Sequence, residues 1–355
     1  MPTQLLTPDL SILIVKTSSA GDIVQSFPVL EYLKQKFPKA RIDWVVESPF
    51  AELVLAHPLV SNVHVADTKK WRRGRGLKGF LKFRRRIQKM KYDVLFDLQG
   101  NLKSGLIGSL AKAKDKVGFG FKSVPESVNL LFTRHRFDPK PGQNIRLDYL
   151  SLPQRYFDDT EVFQEKGVQL GLNQVQQFKL ESILQKLHPF QARRIMVCNG
   201  AKWPSKCVPY HTLLSFLQLV DEKYRCVFVL TWGNEKERER AEKLYDHFKD
   251  RAILIDKLSL PTLQNLMEHM DLVVAMDSLP LHLAATTAST STLGIFGPSS
   301  SIKYAPLGEH HLKVQGICPI GYFFEKRCPI LRSCTSKACI KNLSGEKLYH
   351  SLEEI

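Results

Sequence analysis

Short apolar runs rich in β-branched residues alternate with stretches of helical periodicity through both halves of the chain. Each run has the length and composition of a buried parallel strand. The runs cover residues 12–15, 42–47, 63–65, 92–97, 194–198, 226–230, 252–255, 272–275 and 292–296. Parallel neighbours need a crossover between them, which is usually a helix. The alternation therefore predicts an α/β fold built from doubly wound parallel sheets.

Chain length and one polar stretch divide this series into two domains. A chain of 355 residues suggests two domains, on a prior of about 150 residues each. The polar stretch 158–177, followed by a short helix at 178–187, separates the two strand series. We predict a first domain at 1–165, a linker region at 166–190 and a second domain at 191–355 with a Cys-containing tail. Two Rossmann-like domains facing across a cleft would bind ligands in that cleft.

The turn after the first strand places a carboxylate where such folds bind ligands. Residues 17–21 are small and polar, and Asp22 stands where a helix should begin, with Ile23, Val24 and Phe27 at helical spacing. This pattern puts Asp22 at the carboxyl end of a strand, the edge at which open α/β sheets bind ligands. Asp22 could equally serve only as a helix cap, and the local sequence leaves both roles open.

Two turns in the second half carry groups suited to phosphate. Asp277 and Ser278 follow a buried strand and open a helix, whose first N–H groups and positive dipole end favour a diphosphate. His282 lies one turn into that helix. Lys206 lies in the first strand–helix turn of this half, where a flexible ammonium could neutralise a leaving group. A capped helix with a packed histidine, and a surface lysine, are the alternatives that remain open.

The positive charge of the chain is concentrated in one segment. The net charge is +16, and residues 69–91 hold twelve Lys or Arg and no Asp or Glu, which leaves 16 − 12 = +4 for the rest. Such a segment favours nucleic acid, an anionic membrane surface or a phosphorylated substrate. Residues 76–91 predict an amphipathic helix with a cationic outer face. Residues 74–79 match G-x-G-x-x-G, but no strand precedes them, so a dinucleotide site is not predicted.

Four of the seven cysteines cluster near the end of the chain, at Cys318, Cys328, Cys334 and Cys339. Four thiolates can hold zinc, but these cysteines lack the paired C-x-x-C spacing of zinc sites. The sequence opens with no basic, apolar leader, and no apolar run approaches the ~20 residues that span a bilayer. We therefore expect a cytoplasmic protein in which disulfides are disfavoured.

Several strand ends carry a resemblance to a known family, in the same order along the chain. The matching segments are 14–22 (Ile-Val-Lys-Thr-Ser-Ser-Ala-Gly-Asp), 43–47 (Asp-Trp-Val-Val-Glu), 97–104 (Asp-Leu-Gln-Gly-Asn-Leu-Lys-Ser), 200–209, 232–237, 277–284 and 295–299. Together they resemble the bacterial lipopolysaccharide heptosyltransferases of glycosyltransferase family 9, with the heptosyltransferase I branch the most similar. The resemblance runs from about residue 12 to residue 339, and similar cysteines recur near the end of many family members.

The resemblance implies a GT-B fold and an inverting glycosyltransferase. The reaction would move L-glycero-D-manno-heptose from ADP-heptose to a Kdo sugar of the lipid A inner core, with no cofactor and no metal. Asp22 would be the general base and Lys206 the second catalytic residue. Glu237 would meet the ribose hydroxyls and Leu258 would line the adenine pocket. The implied donor-binding residues are Lys206, Glu237, Leu258, Asp277, Ser278, Leu279 and His282.

The first domain would then take the acceptor. The implied acceptor-binding residues are Ser19, Lys69, Lys70, Arg72, Arg73, Gln99 and Lys103. The basic segment would hold lipid A phosphates and the inner face of the inner membrane, which implies peripheral membrane association. The chain departs from the family pattern at Leu279, which replaces a glycine, at Cys207 and Val208, at Ser300–Ser301, and at Asn144, which replaces a histidine.

Two alternatives remain. A family 9 glycosyltransferase with a different nucleotide-sugar donor or acceptor is one, and the departures at Cys207 and Leu279 allow another donor. The basic segment could instead bind nucleic acid on a Rossmann scaffold. The chain has no aromatic and basic RNP-like motif and no zinc finger, which disfavours nucleic acid as a partner.

Overall fold

The computed structural model describes residues 9–72, 76–321 and 324–352. The chain divides into two compact units, residues 1–166 and 167–355. Each unit contains one six-stranded sheet in which every pairing is parallel. Within the described ranges, no helix combines the length and apolar character that crossing a membrane requires.

The sheet of the first unit has the strand order β3-β2-β1-β4-β5-β6. Its strands are β1 (Ser11–Val15), β2 (Arg41–Glu47), β3 (Asn62–Ala66), β4 (Lys91–Asp97), β5 (Lys112–Phe119) and β6 (His135–Phe137). Its helices are α1 (Ala20–Val24), α2 (Pro28–Lys36), α3 (Ala51–Leu55), α4 (Thr68–Arg72), α5 (Leu77–Gln88), α6 (Leu102–Leu110) and α7 (Ile145–Tyr156).

The sheet of the second unit repeats the same pattern, with the order β12-β11-β10-β7-β8-β9. Its strands are β7 (Arg193–Cys198), β8 (Cys226–Thr231), β9 (Ala252–Leu254), β10 (Leu272–Met276), β11 (Ser291–Phe296) and β12 (His311–Gln315). Its helices are α8 (Gln174–Leu187), α9 (Tyr210–Lys223), α10 (Glu235–Phe248), α11 (Leu260–Met267), α12 (Leu279–Ala284), α13 (Ser301–Tyr304), α14 (Ala338–Lys341) and α15 (Gly345–His350).

Each unit has its own hydrophobic core around its central strands. In the first unit Leu13 and Val15 of β1 pack with Phe83 and Ile87 of α5 and Ile107 of α6. Helices α5 and α6 therefore cover the same face of this sheet. In the second unit all six residues of β8 are buried, and its core extends to α9, α10 and the C-terminal α15. These observations confirm the predicted fold class of two doubly wound, Rossmann-like α/β units of the GT-B type.

The strand order reverses direction between β1 and β4 in the first unit, and between β7 and β10 in the second. In open α/β sheets the ligand site lies outside the carboxyl ends of the strands at this switch point. The turn with Asp22 follows β1, and the turn with Gln99 follows β4. The turn with Lys206 follows β7, and the turn with Asp277 follows β10. The fold thus places four predicted site residues beside its two switch points.

Several elements differ from the sequence-based expectation. Strands β5, β6 and β12 and helix α7 were not predicted. β5 has the sequence Lys-Ala-Lys-Asp-Lys-Val-Gly-Phe, so its first half has the charge pattern of a solvated segment. Pro28 begins α2 at its first position and separates it from α1, because proline fits the first turn of a helix but disrupts its interior.

The chain beyond residue 166 packs within the second unit. The backbone of Val168 donates to the carbonyl of Thr286 at 2.7 Å, and the amide of Gln264 bonds both Val168 and Leu170. Leu180, Ile183 and Leu187 of α8 are buried. Much of the stretch predicted as a linker is therefore attached to α11 and to the segment that follows α12, within the second unit.

Candidate functional site

Asp22 lies in the first turn of α1, beside the switch point of the first sheet. One oxygen of its carboxylate, Oδ2, accepts hydrogen bonds from the backbone N–H of Ser19 at 3.0 Å and from the Ser19 hydroxyl at 2.5 Å. The Asp22 side chain is only partly buried. Asp22 therefore does cap its helix, and its carboxylate also stays accessible at the ligand-binding edge. Ser19, a predicted acceptor residue, contacts this carboxylate directly.

Lys16 is a functional candidate that the sequence analysis missed. Its ammonium is buried and donates to the carbonyl of Leu98 at 3.1 Å and to the hydroxyl of Tyr149 at 2.9 Å. Burial lowers the pKa of Lys16 to about 8, although the negative charges of Asp22 and Asp97 favour its protonated form. A lysine directly after a buried strand, six residues before Asp22, is the signal that could have identified it.

Gln99 connects the ends of the two strands that flank this switch point. Its side-chain oxygen accepts from the backbone N–H groups of Thr17 and Ser18, both at 3.1 Å. Asp97 fixes the turn in which Gln99 lies, since its Oδ1 accepts from the N–H groups of Gln99 and Gly100 at 3.0 Å. Gln99 thus holds the turn that carries Asp22, whether or not it also contacts a ligand.

Lys103 forms an ion pair at the same edge of the sheet. Its ammonium lies 2.8 Å from Oε1 of Glu47, the last residue of β2, and the hydroxyl of Thr68 donates to the same oxygen. The Glu47 side chain is nearly buried, whereas that of Lys103 is about one third exposed. Glu47 and Thr68 were absent from the predicted site. Lys103 and Glu47 can pair because the strand ends beside them are close in the sheet, although they are distant in sequence.

The predicted basic residues near position 70 begin on helix α4. Lys69 and Lys70 lie on α4 and are exposed, and Lys70 pairs with Asp67 at 2.6 Å. Arg72 ends α4, and Arg73 lies outside the described residues. Beyond them, α5 buries Phe83 and Ile87 and exposes Lys78, Lys82 and residues 84–86. The predicted amphipathic helix with a cationic outer face is present.

Asp277 is the centre of a buried polar cluster beside the switch point of the second sheet. Its Oδ2 lies 2.5 Å from the ammonium of Lys206 and accepts from the hydroxyl of Ser299. Its Oδ1 lies 3.4 Å from Nε2 of His282. All four residues are buried. Three predicted donor-binding residues, Lys206, Asp277 and His282, therefore lie together in the structure. Ser299 joins them and was not predicted.

The cluster keeps Asp277 ionised. Burial alone would raise the pKa of its carboxyl, but the hydrogen bond from His282 and the positive charge of Lys206 outweigh burial and hold the pKa well below its usual range. Lys206 is thus neither a surface lysine nor a lone cation. Its charge is held in place by Asp277, at the carboxyl edge of β7 and β10.

Ser278 and Leu279 lie at the start of α12, next to this cluster. Ser278 occupies the N-cap position, and its hydroxyl donates to the carbonyl of Met276 at 3.2 Å. Leu279 is the first residue of the helix and is partly buried. Both residues therefore lie at the helix end where the sequence analysis placed the diphosphate.

Glu237 lies in the first turn of α10, after β8. Its two carboxylate oxygens accept from the N–H of Gly233 and from the amide of Asn234, each at 2.7 Å. A methyl group at Gly200 would lie 2.3 Å from the Glu237 side chain, so glycine at 200 is what allows this close approach. Leu258 is partly buried in the segment between β9 and α11.

The four C-terminal cysteines line one cavity in the second unit, together with Ser205 and Lys337. All seven cysteines of the chain are free thiols. Burial, and the nearby Cys318, Cys334 and Cys328, raise the pKa of Cys339 to about 11. Among the residues that the structure describes, no three His, Cys, Asp or Glu side chains are close enough to hold a metal ion.

The sequence as a whole matches a known family. The profile of glycosyltransferase family 9 (heptosyltransferase) matches residues 80–330, which is well over half of the chain. The chain belongs to glycosyltransferase family 9. It is therefore a transferase, and the resemblance inferred from its strand ends is confirmed.

Named relatives of this family 9 enzyme cover most of its length. It is 28% identical over 331 residues to lipopolysaccharide heptosyltransferase 1 of Pseudomonas aeruginosa, a match that covers 89% of this chain and 87% of the relative. It is 27% identical over 307 residues to lipopolysaccharide heptosyltransferase 1 of Campylobacter coli, with coverage of 83% and 86%. The structure of Escherichia coli heptosyltransferase WaaC with ADP is similar in fold, with a TM-score of 0.77, 22% identity, and coverage of 97% and 99%.

The buried Lys16 gives the family 9 enzyme a defined pH dependence of stability. The pKa of Lys16 is about 8 in the folded protein and 10.5 ordinarily, so the unfolded chain binds more protons between these values. The free energy of unfolding should rise with pH in this window, by up to about 3 kcal/mol from this group. Thermal unfolding of the wild type and of Lys16→Met between about pH 7 and pH 10 measures this change in the free energy of unfolding. A slope that is equal in both proteins would contradict the assignment.

Proposed function

We propose that this family 9 enzyme transfers L-glycero-D-manno-heptose from ADP-heptose to a Kdo sugar in the inner core of lipopolysaccharide. The names of its relatives, lipopolysaccharide heptosyltransferase 1 in two organisms, support the donor sugar and the acceptor class. A WaaC structure with ADP-2-deoxy-2-fluoro heptose, at a TM-score of 0.75, supports the choice of nucleotide. The first unit takes the acceptor and the second unit takes the donor.

The observation that carries the proposal is that each sheet has its reactive group at its own switch point. The first unit offers a partly exposed carboxylate, Asp22, with the ammonium of Lys16 behind it. The second unit offers the ammonium of Lys206 held on Asp277. A base and a cation for a diphosphate are the two groups that an inverting sugar transfer requires.

In the proposed step, Asp22 accepts the proton of the acceptor hydroxyl as that oxygen attacks the anomeric carbon of the heptose. The bond between this carbon and the β-phosphate oxygen of ADP breaks, and configuration at the carbon inverts. Ser19 fixes the Asp22 carboxylate through two hydrogen bonds.

Lys206 stabilises the negative charge that develops on the ADP leaving group. Asp277 and Ser299 position Lys206, and Ser278, Leu279 and His282 lie around the same strand end. Glu237 accepts the ribose hydroxyls, and Leu258 contacts the adenine. No cofactor or metal is expected for this chemistry.

The acceptor is a lipid, so the enzyme must work at a membrane surface. We assign Lys69, Lys70, Arg72, Arg73, Gln99 and Lys103 to the acceptor. The exposed cations of α4 and α5 attract lipid A phosphates and the anionic inner face of the inner membrane, where each Lys or Arg near the surface adds about 1 kcal/mol. The enzyme would then be cytoplasmic and peripherally bound, with no nucleic acid as partner.

Product formation tests the proposal. The wild type is incubated with a deacylated Kdo-containing acceptor and with either ADP-heptose or one of a series of UDP-sugars, and products are identified by mass spectrometry. RNA binding by the same protein is measured separately. We expect transfer of one heptose from ADP-heptose only. Transfer from a UDP-sugar would support the alternative donor, and RNA binding at physiological salt without any transfer would contradict the proposal.

A further inference from the structure

An apolar surface lies on the first unit beside the carboxyl edge of its sheet. Leu102 and Leu106 of α6 are 41% and 51% exposed, and their spacing of four residues puts them on one face of the helix. Leu131, in the 3₁₀ segment Ser127–Phe132, is 81% exposed, and Phe121 is 73% exposed. Soluble proteins rarely expose contiguous patches of this kind without a use for them.

Hydrogen bonds and ring contacts hold the segments that carry these side chains next to one another. The N–H of Leu102 donates to the carboxylate of Glu126 at 2.8 Å, just before the 3₁₀ segment. Within that segment, the Phe132 ring packs so close to α6 that a methyl group at Gly105 would lie 2.3 Å from it. Arg136 donates to the carbonyl of Leu130 at 2.6 Å and lies over the Phe121 ring at 5.4 Å. We call Phe121, Leu102, Leu106, Val128 and Leu131 the apolar patch.

Positive charge predominates around the apolar patch, where Glu126 is an exposed acidic neighbour. Lys122, Arg134 and Arg136 are exposed next to it. Helix α5 lies beside α6 on the same face of the sheet, and it exposes Leu77 and Leu81 among its Lys and Arg side chains. Exposed Leu and Phe surrounded by Lys and Arg are typical of surfaces that lie in the interface of an anionic bilayer.

We propose that the apolar patch enters the acyl-chain boundary of an anionic bilayer while α5 contacts the headgroups. The inference rests on the proposed function for the need to reach a lipid-linked sugar. Leu102 is the first residue of α6, which begins at the carboxyl end of β4. The patch therefore adjoins the edge that carries Asp22, so that an acceptor sugar can reach this carboxylate while its lipid stays in the membrane.

The proposal differs from purely electrostatic attachment in its response to salt. Attraction between α5 and anionic headgroups weakens as salt screens the charges, whereas burial of apolar side chains does not depend on such screening. Part of the binding to phosphatidylethanolamine–phosphatidylglycerol vesicles should therefore survive high salt. That part should be lost in the double variant Leu106→Gln and Leu131→Gln, with a fall in vesicle partition of about tenfold or more.

A matched control exists on the second unit. Val175 and Phe178 of α8 are 78% and 76% exposed, so Val175→Gln with Phe178→Gln removes similar exposed apolar area without touching the patch. Vesicle flotation at low and high salt compares the three proteins, and circular dichroism checks that each is folded. The control should bind as the wild type does.

Activity measurements separate this inference from the proposed function. The patch variant should lose transfer to Kdo–lipid A in vesicles and keep transfer to the deacylated acceptor. Absence of transfer to the deacylated acceptor by the wild type would refute the proposed function, whatever the vesicles show. The inference itself would be overturned if the patch variant bound vesicles like the wild type, if high salt released all wild-type binding, or if sedimentation showed a dimer that only the patch variant disrupts.

Discussion

Asp22→Asn should lower the turnover number of heptose transfer by about 10²–10⁴-fold, the range that a general base contributes. The affinity for ADP-heptose should stay close to that of the wild type, because Asp22 belongs to the first unit and the residues that we assign to the donor belong to the second. Asparagine can still accept the hydrogen bond from the N–H of Ser19, so the cap of α1 should persist. Single-turnover product formation and donor binding by calorimetry measure the two effects separately.

Asp93→Asn is the matched control. Asp93 also accepts a backbone N–H, that of Ser11 at 2.9 Å, but Ser11 begins β1, at the opposite edge of the same sheet. Its substitution should leave turnover unchanged. Normal turnover in Asp22→Asn would refute the role of Asp22 as base, and loss of the folded state in that variant would show that the cap alone explains the residue.

Lys206→Met should have the second large effect, and it should act on both stability and catalysis. The substitution leaves the buried carboxylate of Asp277 without its cation, which costs about 3 kcal/mol or more when one partner of a buried pair is removed. Loss of the charge that we assign to the leaving group should lower kcat/KM by about 10²–10³-fold. Urea unfolding and steady-state kinetics measure these changes.

The double variant Lys206→Met with Asp277→Asn separates the two effects. Removing both charges should restore much of the stability, because no uncompensated charge remains buried, while activity should stay low. Lys36→Met is a control for the loss of an ion pair, since Lys36 also lies 2.5 Å from a carboxylate, that of Asp159, but is 32% exposed. It should cost less stability and no activity. Equal activity of Lys206→Met and Lys36→Met would contradict the role of Lys206.

Local patterns were enough to predict the strand ends and the residues that follow them. Asp277 comes directly after the buried run of β10, and Asp22 follows the buried run of β1 after a short polar turn. Helical spacing follows both residues, and this order of signals indicates the carboxyl edge of a parallel strand. The basic helix α5 was likewise evident, because its apolar positions recur at helical spacing within a run of cations.

The partners of these residues could not be predicted from local patterns. Lys206 and Asp277 are 71 positions apart, and their ion pair depends on β7 lying next to β10. Lys103 and Glu47 are 56 positions apart and meet across the ends of several strands. Such contacts depend on the order of the strands in the sheet. The alternation of strands and helices along the chain does not determine this order.

The separate cores of the two units have a consequence for engineering. The junction between Lys166 and Gly167 interrupts no strand or helix, and each sheet closes its own apolar interior. A hybrid protein joined between these two residues could therefore combine the amino-terminal unit of one homologue with the carboxyl-terminal unit of another. Neither half would have to repack its interior to fit the exchange.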